Sequence, residues 1–148
     1  MSSSSSIDAA RHFLSVAWDG PPPCEADLIE ALDHLVAAIH HTPGGRASEW
    51  EAPRDDLAVL VERAHARFPD LGLYPCADPL DAPGSGPVVA LNHAIDDIVD
   101  ITRDMREVIW VADRIGADDA HYQFRLLFSH WGSHARDLLR YLHARHYR

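Results

Sequence analysis

Two histidines four residues apart, His130 and His134, stand inside the stretch 121–146, HYQFRLLFSHWGSHARDLLRYLHARH. On a helix that spacing stacks the two imidazoles one above the other on a single face. Helical zinc sites use such a pair, but an ion also needs a third ligand and often a fourth. Asp97, Asp100 and Asp104 offer the missing chemistry. They recur at spacings of three and four residues and share a helix face with His93 and Glu107. Docking the two faces together would gather a His/Asp cluster able to hold a divalent metal. The criterion is a distance: carboxylates more than about 8 Å from the two rings cannot share an ion whose ligand bonds are near 2 Å.

A plainer reading stands beside this one. The acidic stripe lies roughly opposite the apolar positions of its own helix, where a solvated face belongs. The histidine pair can equally be a flank satisfied by hydrogen bonds to carboxylates. Asp97 and Asp100 also have the three-residue spacing seen in helical nucleotide pyrophosphatases, with Glu30 and Asp33 as the candidates for a companion pair. The HExxH string of zincins, a serine nucleophile elbow, a phosphate-cradling glycine loop and a paired-cysteine motif are all absent from the sequence.

The elements that must position these residues follow from periodicity. A first helix from Ile7 to Trp18 ends at Gly20 and three prolines, which supply no amide donors. A second, from Cys24 to His41, carries Leu28, Ile29, Leu32, Leu35, Val36 and Ile39 at helical spacing, and a third runs from Arg54 to Phe68. Between them, Trp50 is the large apolar side chain of a loop that can fold back onto the core. The segment 69–87 holds five of the ten prolines and reads as an ordered loop, anchored by Leu71, Leu73, Tyr74 and Leu80. A fourth helix is expected from Val88 to Ile115, and a fifth after a cap at Asp118 or Asp119. No strand pattern is visible.

On the fifth helix, Phe124, Leu127, Phe128, Trp131, Ala135, Leu138 and Leu142 form a core face. Gln123, His130, His134, Asp137 and Tyr141 line its flank. Gly132 costs about 1 kcal/mol relative to alanine in a helix, so a close approach beside Trp131 is expected to compensate. Arg125, Arg136 and Arg140 form a basic flank that could pair with the acidic helix, and the tail 143–148 is expected to fray.

Composition limits what this framework can serve. The 148 residues suit one domain that buries about two-thirds of its unfolded surface. A formal charge of −10 gains nothing by counterion release from a phosphate backbone, which argues against direct nucleic-acid binding. Cys24 and Cys76 lie far apart with no metal-spaced neighbour and read as reduced thiols. The N-terminal serine run lacks the basic and apolar regions of a secretory signal. No window approaches eighteen consecutive apolar residues, and a cytoplasmic address follows as the default.

The strings Asp96-Asp97-Ile98-Val99-Asp100-Ile101-Thr102-Arg103-Asp104 and Phe128-Ser129-His130-Trp131-Gly132-Ser133-His134-Ala135, followed by Leu138-Leu139-Arg140-Tyr141-Leu142-His143, resemble a bacterial family of unknown function, the DUF5063 domain. Tyr74 and Asp78-Pro79-Leu80 also fit that pattern. The resemblance covers the C-terminal half, implies a helical fold and names no substrate. The chain departs from it at His121-Tyr122, where a tryptophan-rich entry to the last helix is expected.

The expectation is an all-α, single-domain bundle of about five helices over 7–148, preceded by a disordered lead over 1–6. The leading functional reading is a structural or interaction module. Its polar seam consists of Asp97, Asp100, Asp104, His130, His134, Asp137 and Tyr141, with a protein partner or second copy as its counterpart, no evident cofactor and no membrane. The alternative is a divalent-metal-binding bundle with Asp97, Asp100, Asp104, His130 and His134 as ligands, extending to a metal-dependent hydrolase of phosphate-ester or nucleotide type.

Overall fold

A computed structural model describes residues 5–84, 86 and 89–148. Six α-helices and one two-stranded antiparallel sheet occur in the order α1 (Ser5–Trp18), α2 (Glu25–Ala38), α3 (Leu57–Arg67), β1 (Leu73–Ala77), β2 (Val89–His93), α4 (Ala94–Arg114), α5 (Ala117–Leu126) and α6 (Ser133–His146). A 3-10 turn, Ile39–His41, extends α2, and a single π turn, Phe128–Gly132, joins α5 to α6. Among the described residues no helix is long and apolar enough to cross a membrane.

Helix α4 is the axis of the bundle and packs against α1, α3, α5 and α6. Ile95, Ile98, Val99, Ile101, Met105, Val108 and Val111 are all buried along it. Each such side chain contributes about 1.5–3 kcal/mol on leaving water, which leaves room for polar groups on the same helix. Thr102 is one of these: it accepts from the Trp18 indole at 2.9 Å and donates to the Ile98 carbonyl at 2.6 Å. Arg63 and Arg106 lie over the Trp18 ring at 5.6 and 5.5 Å. Arg67 ties off the end of α1 by donating to the carbonyls of Ala17 and Gly20.

The predominantly helical expectation stands, with corrections. The fourth helix does not begin near Val88, which lies outside the described residues. Val89–His93 is strand β2, paired with β1 in the register Leu73↔His93, Pro75↔Leu91, Ala77↔Val89. The five-residue strands are too short to impose an alternating pattern, and Leu91 mimics a helical core position while being 68% exposed. His93 is the N-cap of α4, its Nδ1 accepting from the Ile95 amide at 3.1 Å. Of the four anchors expected in the Pro-rich segment, Leu71 and Tyr74 are buried, whereas Leu73 and Leu80 are exposed. Helix α3 starts at Leu57 because Asp56 caps it, accepting from the Val59 amide.

The expected single last helix is two, offset by the π turn. Gly116, not Asp118 or Asp119, is the N-cap of α5. At the lead, Ser5 and Ser6 already belong to α1, with Ser6 buried; residues 1–4 lie outside the description. The C-terminal tail is not free: α6 runs to His146, and Arg145 pairs with Glu25 at 2.8 Å.

The segment 42–56 wraps α4 and α5 as a strap. Trp50 packs on Trp110 with ring centroids 6.4 Å apart, Ser48 donates from its amide and its hydroxyl to the buried Asp119 carboxylate, and Asp55 pairs with Arg106 at 3.0 Å. Arg125 donates to the Thr42 carbonyl at 3.2 Å, so it serves the strap, not the acids of α4. Gly45 is where the strap meets α5. A Cβ there would sit 2.0 Å from the Asp118 carbonyl oxygen and 2.7 Å from the Tyr122 amide nitrogen, whereas a Cβ on Gly44 would meet nothing within 4 Å. Backbone cannot yield as a flexible side chain can. Gly45→Ala should therefore cost about 1–3 kcal/mol and Gly44→Ala less than about 0.5 kcal/mol, measured by urea unfolding. Equal effects of the two would refute this docking of the strap.

Candidate metal centre at the seam of α4 and α6

The acidic stripe of α4 is not solvated. Asp97 is 2% exposed and Asp104 8%, and both face the histidines. His134 Nδ1 lies 2.7 Å from Asp97 and its Nε2 3.2 Å from Asp100, while His130 Nδ1 lies 2.7 Å from Asp104. All three contacts fall well inside the 8 Å limit. The helical wheel missed this because α4 is buried on almost every side, so the face opposite its apolar stripe is a second interface instead of a solvent face.

A buried carboxylate costs several kcal/mol in lost hydration, and a charge-assisted hydrogen bond returns about 1.5–3 kcal/mol. One partner is insufficient for Asp97. It has two: His134 on one oxygen and the Tyr74 hydroxyl, which donates to the other. Burial pushes the Asp97 carboxyl up, and the hydrogen bonds from His134 and Tyr74 oppose that rise. Burial pushes Asp104 up in the same way, opposed by His130. The Asp97 hydrogen bond lifts His134 above the ordinary imidazole range, against the ring's own burial. Tyr74 is driven far up, first by burial and then by Asp97, so its hydroxyl keeps its proton and donates.

The other seam residues continue the network beneath the hairpin. Tyr141 stacks on Tyr74 at 4.7 Å with 15° between the rings, and its hydroxyl accepts from the Gly72 amide at 3.3 Å. Asn92 on β2 donates to Asp137 at 3.4 Å and lies 3.5 Å from the Tyr74 hydroxyl. Burial and the neighbouring Asp137 raise the Cys76 thiol on β1. Tyr74 and Asn92 are the functional neighbours that sequence spacing missed, since neither shares a helix with the cluster. Glu30 and Asp33 stand exposed on α2 and take no part in the cluster.

The π turn carries His130. Trp131 is fully buried within it, donating from its indole to the Phe124 carbonyl at 3.0 Å. The close approach expected at Gly132 is the Phe128 ring, whose carbons would lie 2.5 Å from an added Cβ. Arg136 lies over that same ring at 5.3 Å and, like Arg125, leaves the acids of α4 to the histidines.

A carboxylate accepts, so each Nδ1 facing one carries a proton; the Nε2 of His134 faces a carboxylate too, Asp100 at 3.2 Å, and meets it either through a second proton or through an ion lying between them. Among the described residues one group gathers metal-ligating atoms: Asp100, His130 and His134 each offer one, all within 4.8 Å of each other. Donors on one ion, with bonds of about 2.1 Å, sit about 3–4 Å apart, so small side-chain rotations would close the set. His130 is half exposed and Asp100 and His134 about three-tenths, which gives an entering ion a path. Asp97 and Asp104 then lie behind the ligands, holding the rings in one tautomer as outer carboxylates do in histidine metal sites.

No family model matches the chain, and no curated protein matches it. Among solved structures, protein BF1032 from Bacteroides fragilis is similar, with a TM-score of 0.66 at 17% identity over 94% of this chain and 88% of that one. The likeness extends to the fold.

Proposed function

We propose that the chain is a divalent-metal-binding helical bundle, with Asp100, His130 and His134 as a two-histidine, one-carboxylate ligand set. One observation carries the reading: each imidazole has its own buried carboxylate on Nδ1, while a third carboxylate, Asp100, lies 3.2 Å from the Nε2 of His134 and groups with a ring nitrogen of each histidine within 4.8 Å. Such ligand sets suit iron(II), manganese or zinc and leave coordination positions open for water or substrate. The string resembling DUF5063, His130-Trp131-Gly132-Ser133-His134-Ala135, is the stretch that carries both histidines.

Protein purified without an affinity tag should contain close to one equivalent of a divalent metal by elemental analysis. Asp104→Asn should weaken metal binding about 10–100-fold with the fold retained. A chain that binds no divalent ion in competition titrations, with a melting temperature indifferent to them, would sink the proposal.

A second reading is favoured by the position of His134 between Asp97 and Asp100. The three carboxylates require positive charge, which protons on the imidazoles can supply as well as a metal. The seam is then a structural ion-pair network. The two readings give opposite pH slopes. In chelator, the raised His134 contributes stability that is complete below about pH 6.5 and lost as the pH rises through its folded-state value. Melting temperature should therefore fall as the pH climbs from there. A metal needs neutral imidazoles, so the stabilisation that zinc or manganese adds should grow over the same interval. Only the falling slope, with or without metal, would leave the ion-pair network alone standing.

A further inference from the structure

A cleft of about 410 Å³ opens beside the proposed ligand set, between the strap at 50–55 and the outer face of α4. Asp100 and His130 line it, so coordination positions left open by the protein face a space of small-molecule size. Its opposite walls carry Arg54, from the strap, and Arg103, one turn along α4 from Asp100. Among the described residues neither arginine has an ion pair, whereas the third, Arg106, is committed to Asp55 at 3.0 Å. Of the acids lining the cleft, Asp55 pairs with Arg106, Asp104 with His130 and Asp100 with His134, Glu51 stands exposed, and Glu107 feels the charges of Arg54 and Arg103 through space. Two guanidiniums free of direct ion pairs, with Glu107 as their shared distant counter-charge, thus flank the proposed metal position.

We infer that this cleft is a subsite for a small ligand bearing a phosphate group. One phosphate oxygen takes an open coordination position, and Arg54 and Arg103 meet the others. The inference rests on the metal reading and names the ligand class of that same site. Guanidinium donors in a planar fork suit tetrahedral oxyanions, and cations arriving from three directions suit a dianion better than a carboxylate. The strap is held at Gly45, Ser48 and Asp55, so Arg54 is placed by a fixed segment.

Cobalt(II)-loaded protein provides the test, because its visible absorption reports ligands entering the metal's coordination sphere. Titration with inorganic phosphate should give a saturable spectral change, and acetate a weaker one. In the Arg54→Gln/Arg103→Gln double variant, phosphate affinity should fall at least about tenfold while cobalt affinity and melting temperature stay unchanged. Lysine at both positions should restore part of the loss. Phenyl phosphate separates the sources: binding at least as tight as phosphate supports a phosphate ester, and its exclusion restricts the subsite to the free anion. A cobalt-loaded protein that ignores phosphate, or binds it equally well without the two arginines, overturns the subsite and leaves the metal centre intact. A chain that takes up no cobalt overturns both.

Discussion

The Asp97 carboxylate is the constraint on which the arrangement depends. It is sealed inside a bundle whose interior is mostly apolar, and its burial is tolerable only because two donors reach it from different parts of the chain. His134 arrives on α6 and Tyr74 on β1, so one carboxylate fixes the angle of the last helix and the seat of the hairpin together. Tyr141 then stacks on Tyr74, and Asn92 bridges towards Asp137. A polar network of this kind is specific because it has few alternatives. Any packing that misplaced α6 would leave a buried charge unpaired, at a cost of several kcal/mol.

The strap plays the complementary part on the other side of α4. Its backbone comes so close to α5 at Gly45 that only glycine fits, and Ser48 satisfies the buried Asp119. The same segment presents Trp50 to Trp110 and Arg54 to the cleft. Both walls of the cleft are therefore borne by elements tied to the core, as preorganised binding requires. The outer face of the hairpin, with Leu73, Val89 and Leu91, is instead exposed.

The helices and the core stripe were legible because long amphipathic segments repeat their pattern many times. The candidate ligands His130, His134 and Asp100 were legible too, since residue type and helical spacing already marked them. What the sequence concealed was relational. Whether Asp97 and Asp104 faced water or histidine depended on how completely α4 is surrounded, and periodicity cannot report that. Tyr74 and Asn92 sit on five-residue strands whose pairing comes from tertiary contact, so Tyr74 was marked only as an anchor and as part of the resemblance, and Asn92 carried no signal beyond its type. Leu80 looked like an anchor by chemistry and is almost fully exposed by position.

The π turn at Phe128–Gly132 has a further consequence. An α-helix advances about 100° per residue, so one extra residue in a turn re-indexes everything after it. Helix α5 addresses α1 and α4, whereas α6 addresses α2 and α4. What reads in the sequence as one helix is two dials on a common shaft, set to different hours. Loss of a single residue at this point would scarcely shorten the chain. It would turn His134, Asp137 and Tyr141 away from Asp97 together and convert a gathered cluster into three unrelated surface groups. A length difference here between related chains is thus a change of chemistry, where elsewhere in the same segment it would be only a change of helix length.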